Sequence, residues 1–227
     1  MKAYFYNLEF FPEFDFGENG ILAVETDHFR FFRDVAGDLK GISEECKEIA
    51  FYEKEKRLLI EKDYFLFIDY YDSETIGKTL NGKVLKKISA GLEEDPAERL
   101  KFSSLLSGLY SFVLSRLDDE EISFDSEGER SFEEVLKLFS VAVSQPREDI
   151  FGKILNVIEV AGKLNVVKFL AFINAKSFFS ETELTEIMKM AAYRNVKLFL
   201  LDKGITEKKF FGEKLLCVDE SFFEKVL

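Results

Sequence analysis

The chain has 227 residues, 47% of them hydrophobic, with a formal net charge of −12. That is enough for one large domain or two small ones with a real core. A single histidine, His28, and two isolated cysteines, Cys46 and Cys217, argue against a His-based metal site, a Ser-His-Asp triad and a cysteine metal cluster. No apolar run reaches membrane-spanning length and MKAYFYNLEFFPEFDF has no signal-peptide pattern, so a cytoplasmic location is expected.

Taken in order, residues 2–10 alternate loosely toward Pro12, as in an edge strand. Asn19-Gly20 marks a turn before the strand ILAVET, 21–26. Asp27 is the expected cap of a helix carrying Phe29, Phe32, Val35 and Ala36 on one face, with Arg30 and Arg33 beside it. Residues 48–61 read as two short strands around the charged turn EKEKR, and Tyr64 to Tyr71 as a buried strand. From Ser73 to about Gly162 the pattern is helical: Ile76 to Gly91, then a helix opened by Asp95-Pro96 and running to Leu117, then Phe132 to Phe139. Pro146 breaks the chain before a helix opened by Asp149.

The stretch from Lys163 to Gly204 gives the clearest signal. Val166 to Ile173 reads as a strand buried on both faces. Ser180 and Glu183 form a capping-box start for a helix to Tyr193, and Val196 to Leu201 is a second buried strand. Strand, helix and strand in some forty residues make a right-handed βαβ unit. LLCV, 215–218, is a further short strand, and a last helical turn is expected from Ser221. The expected architecture is an α/β core built from 1–72 and 163–227, with a helical insertion at 73–162.

Three patterns bear on chemistry. Gly77-Lys78-Thr79 follows a strand and opens a helix, where a phosphate-cradling loop would sit. The first glycine of such a loop is replaced by Asp72, and Asn174 stands where a magnesium-holding aspartate belongs. A nucleotide-dependent enzyme using Lys78 and Thr79 is therefore an alternative against the pattern. Between Asp118 and Glu134 nine acids face one base, Arg130. The segment is a solvated face or a calcium site, since Ca²⁺ takes several carboxylate oxygens. Basic residues with phosphate reach are Arg30, Arg33, Lys54, Lys56, Arg57, Lys137 and Lys153, and no element reads base edges. Any DNA binding would be independent of sequence.

The stretch FGKILNVIEVAGKLNVVKFLAFINAKSFFSETELTEIMKMAAYRNVKLFLLDKG resembles the C-terminal half of the accessory spacer-acquisition protein of type II-A CRISPR systems. The shared features are a helix after a short acidic turn, a strand ending in Asn174, the Phe-Phe-Ser start of the next helix, and a second strand followed by an acid. Weaker likeness extends upstream through the acidic segment and EKEKR to ILAVET. The resemblance implies a P-loop-ATPase-like mixed-sheet head without working Walker motifs and an inserted all-helical leg domain. It also implies a non-enzymatic homotetrameric ring that takes double-stranded DNA ends into its central hole, in adaptive antiviral defence. Calcium would be held by Asp118, Glu120, Asp125, Glu127 and Glu129. Lys54, Lys56 and Arg33 would face DNA, and the CRISPR integrase and the RNA-guided effector nuclease would be partners. A protein-only scaffold with a docking acidic segment is a further alternative.

Overall fold

The computed structural model describes residues 1–42, 46–60, 62–117, 130–144 and 149–227. Two sheets and seven helices are found among them, a mixed α/β fold. The chain divides into two compact units: Met1–Ile76 with Gln145–Leu227, and Gly77–Ser144.

In the first unit, β3 (Ile21–Thr26) is buried along its whole length, as its apolar run requires. It lies between β8 (Lys197–Lys203) and β9 (Lys214–Val218), parallel to both. β7 (Phe169–Ile173) and β6 (Tyr64–Phe67) extend the parallel sheet beyond β8. The expected terminal helical turn is instead strand β10 (Glu224–Val226), antiparallel to β9. The Asp219 carboxylate explains this: it accepts the amides of Ser221 and Phe223 at 2.8 and 2.9 Å, a local turn that competes with helix.

Alternate residues of the parallel strands point to opposite faces. One set, including Leu22, Val24, Phe169, Phe199 and Leu216, packs with α1 (Phe29–Leu39) and with a second, antiparallel sheet. That sheet has the order β2-β1-β4-β5: Glu13–Asp15, Lys2–Phe5, Ile49–Glu53 and Lys56–Arg57. Phe51 of β4 meets Phe169 and Phe199 at 4.6 and 5.0 Å between ring centres. His28, not Asp27, caps α1: its Nδ1 accepts the Phe31 amide at 3.0 Å. Asp38, near the other end of α1, accepts the amides of Lys47, Glu48 and Ile49 and so fixes where β4 starts.

Helix α5 (Ile150–Leu164) packs against α7 (Glu181–Tyr193), whose capping box at Ser180 and Glu183 is formed. Sequence expectation placed α5 with the helical insertion. It belongs with the first unit, where its face of Ile154, Leu155, Val157, Ile158 and Ala161 is buried, it packs on α7, and Arg194 reaches Glu159 at 3.0 Å. The short α6 (Ala175–Phe178) follows Asn174, which takes a left-handed conformation at φ 57°.

The second unit holds α3 (Pro96–Leu117), α4 (Phe132–Leu138) and most of α2 (Ser73–Glu94). The Ser131–Glu134 capping box starts α4, Phe132 meets Phe102 edge-on, and Asn81 bonds the backbone of Val141 and Val143.

Candidate nucleic-acid interface

The two ends of the parallel sheet have opposite characters. In open α/β sheets, ligands bind beyond the carboxyl ends of the strands. Here β3 and β8 carry Glu25-Thr26 and Asp202-Lys203 at that end, and β7 runs into Asn174. Lys176 of α6, 6% exposed, places its Nζ 2.9 Å from Glu25 and 2.6 Å from Glu213, and its amide donates to Asp202 at 2.7 Å. Burial opposes ionisation of Glu25, but bonds from Lys176 and Thr206 outweigh it and hold the carboxyl below its ordinary value. Burial pushes Glu213 up. It also pushes Asp202 up to about 7, against the pull of Lys176 and with the push of Glu25 and Glu213. The carboxyl ends of β3 and β8 are thus occupied by the chain's own ion cluster.

Backbone geometry gives the alternative based on Lys78 and Thr79 no phosphate-wrapping loop. Residues 73–76, which would have to form the phosphate-wrapping loop, are already the first turn of α2. Gly77, Lys78 and Thr79 sit inside the helix, where amides bond within the helix rather than to a phosphate.

The amino-terminal end is basic. Lys168 immediately precedes β7, Lys197 opens β8 and Lys214 opens β9. With β3 intervening between β8 and β9, the row spans roughly 15 Å at the usual strand spacing. The second sheet adds Lys2 on β1 and Lys54 and Lys56 around the β4–β5 turn, where Lys54 takes φ 58°. Electrostatics joins the two groups. Lys168 pairs with Glu53 at 2.6 Å, and together with Lys197 it holds that carboxyl below its ordinary value against the opposing effect of burial. Lys214 pairs with Asp15 at 3.1 Å, Lys2 pairs with Glu13, and Lys2 also acts on Asp15. Lys168 and Lys2 remain about half exposed, and Lys54 and Lys56 are exposed. Compact ammonium groups on flexible stems suit backbone phosphates and carry no base preference.

Of the residues expected from sequence, only Lys54 and Lys56 belong to this surface. Arg30 and Arg33 are exposed on α1, each 3.4 Å from Asp34. Arg30 acts on Glu48, just before β4. Lys54 lies past the other end of that strand, about 17 Å of extended chain away. Arg57 turns inward, its guanidinium 2.8 Å from Cys46 Sγ, and lines a cavity with Leu39, Phe51 and Tyr64. Lys137 pairs with Glu133 at 2.6 Å on α4, in the other unit. Lys153 is half-buried on α5. The expected calcium ligands Asp118, Glu120, Asp125, Glu127 and Glu129 lie outside the described residues. Among the described residues no group of three or more His, Cys, Asp or Glu could hold a metal, and no helix is long and apolar enough to cross a membrane. Lys2, Lys168, Lys197 and Lys214 were not among the residues expected from sequence. Lys168, Lys197 and Lys214 stand at or just before the starts of β7, β8 and β9, which puts these three at one end of the parallel sheet, and Lys2 comes from β1 of the second sheet.

Over its whole length the chain is similar in fold to the crystal structure of Stu0660 of Streptococcus thermophilus, with a TM-score of 0.58, 9% identity and 76% of that chain covered. It is 19% identical over 176 residues to the CRISPR-associated protein Csn2 of Enterococcus faecalis, covering 78% of each chain. The family model described as CRISPR-associated protein (Cas_Csn2) matches residues 42–222. The chain belongs to the Csn2 family of CRISPR-associated proteins.

Proposed function

We propose that the protein binds the ends of linear double-stranded DNA without sequence preference and without turnover, as a calcium-stabilised homotetrameric ring in CRISPR spacer acquisition. The observation that carries this reading is the lysine row of Lys168, Lys197 and Lys214 with Lys2, Lys54 and Lys56. An acidic protomer can bind a polyanion when its bases are gathered on one edge, and a ring multiplies that edge by the number of subunits. The absence of turnover is supported by the ion cluster in the strand-end crevice and by Lys78 and Thr79 lying within α2. On this reading the α/β unit is a degenerate P-loop-ATPase-like head and the helical unit its leg.

The calcium reading rests on the donor set. Asp118, Glu120, Asp125, Glu127 and Glu129 offer hard carboxylate oxygens of the kind Ca²⁺ takes, in a segment whose like charges repel until a cation is bound. Those residues would hold the ion, whose contribution is charge neutralisation and not chemistry on DNA. The CRISPR integrase and the RNA-guided effector nuclease are the proposed protein partners.

A gel-shift with linear and circular duplexes of one sequence, in calcium and then in chelator, tests the reading. Binding of the linear form alone, lost on chelation, is the expected result. Equal binding of both forms overturns the ring. No binding of either overturns the DNA reading and leaves the protein-only scaffold.

A further inference from the structure

Residues 204–213, between β8 and β9, run across the carboxyl end of the sheet without helix or strand. Three groups of bonds hold them. Glu25 accepts the Thr206 amide at 2.7 Å, the Thr206 hydroxyl at 2.8 Å and the Glu207 amide at 3.1 Å. Glu213 accepts the Phe210 amide at 3.2 Å. Lys176 Nζ reaches the Lys208 carbonyl at 3.4 Å and lies 5.1 Å from the centre of the Phe210 ring. The outer side is tied by the ion pairs of Lys208 with Glu181 and of Lys225 with Glu207.

We propose that this segment is a pH-sensitive strap: it stays closed while one carboxyl of the Lys176 cluster keeps a proton, and loosens as that last carboxyl ionises. The charge balance is the reason. Three carboxyls, Glu25, Asp202 and Glu213, each at most 2% exposed, share one ammonium. Glu25 is fully engaged by donors and carries its charge. Asp202 Oδ2 and Glu213 Oε2 have no hydrogen-bond partner among the described residues, so a second and third charge there are progressively worse supported. The other titratable groups facing the cluster bring no cation. Tyr70 is influenced by Asp202 but gives its hydroxyl proton to the Ile173 carbonyl, and burial pushes the Cys217 thiol up to about 11. Lys203 is spent on the Asp27 carbonyl, and Lys208 and Lys225 are in the outer ion pairs.

Asp202 is the group with a transition near neutrality. Glu25 and Glu213, the two carboxylates that hold the strap's amides, both oppose a charge on Asp202, so its ionisation works against the closed strap and favours opening. Between pH 6 and pH 8 the opening equilibrium should rise on the order of tenfold and level off above that.

The test is amide hydrogen exchange of the full chain at pH 6, 7 and 8, corrected for the intrinsic rate, read at Thr206, Glu207 and Phe210. Wild-type protection should fall about tenfold across the range, with no comparable change at Leu200 in β8. In Asp202→Asn, whose side-chain oxygen can still accept the Lys176 amide, the dependence should vanish. Corrected exchange that is flat in the wild type, or a pH dependence that survives in Asp202→Asn, overturns the proposal. A readout free of mutation is the carboxyl ¹³C titration of Asp202 beside the strap amide shifts. A shared midpoint supports the strap, and separate midpoints overturn it.

Discussion

Replacing Lys176 by methionine keeps most of the side-chain volume and removes the one ammonium of a buried cluster. Removing one partner of a buried ion pair costs about 3–5 kcal/mol, because the other charge is left uncompensated. Two features place this site at the low end. Glu25 keeps three donors from Thr206 and Glu207, and Glu213 and Asp202 already hold protons more readily than ordinary carboxyls. A loss of about 3 kcal/mol at pH 7.5 is therefore expected. The sign with pH follows from linkage. Without the ammonium the folded-state carboxyls titrate higher than in the unfolded chain, so the variant loses stability as pH rises from about 4 through those raised values. Its deficit against wild type should be smaller at pH 5 than at pH 7.5. Urea unfolding followed by tyrosine fluorescence reads both, since the chain has eight tyrosines and no tryptophan. A loss below about 1 kcal/mol, or one as large at pH 5 as at pH 7.5, would refute the cluster argument.

Other outcomes follow from the same geometry. Asp38→Ala strips the acceptor from three successive amides at the start of β4 and should cost about 3 kcal/mol; a change within 0.5 kcal/mol, roughly the scatter of neutral surface mutants, would contradict it. A Cβ at Gly162 would sit 2.6 Å from Arg194 Cβ and 2.8 Å from its carbonyl oxygen. Gly162→Ala should therefore lower stability by about 1–3 kcal/mol despite better helix propensity, and a raised melting temperature would count against the tight α5–α7 packing. Replacing Lys168, Lys197 and Lys214 together by glutamine should weaken DNA binding for every sequence. It should also flatten the salt dependence by about one unit of log–log slope for each phosphate no longer neutralised. An unchanged slope would move DNA off this edge.

The βαβ core was legible because a β-branched, aromatic run with a capping box encodes local structure directly, as at Val166–Ile173, where β7 forms from Phe169, and at Ser180–Glu183. What failed were choices settled by neighbours. Ser221 onward has turn chemistry that reads as helix until β9 supplies a strand to pair with. His28 took the capping role because the backbone turns one residue later than Asp27 suggests. Arg57 looked like a surface base, yet its place on β5 faces it toward Cys46. Lys168, Lys197 and Lys214 could not be seen as a row, since they are spread over nearly fifty residues and only the parallel register aligns them.

The position of β3 also bears on synthesis. Its only two strand neighbours, β8 and β9, are encoded roughly 170 residues later, so at ribosomal rates of about 5–20 residues per second the apolar strand ILAVET is made some 10–30 seconds before either exists. The helical unit between them is fully encoded by Ser144 and can form during that wait. The nascent chain thus carries an unsatisfied β-strand through most of its own translation. Its yield in the cell should depend on whatever shields that strand until Val218 has emerged.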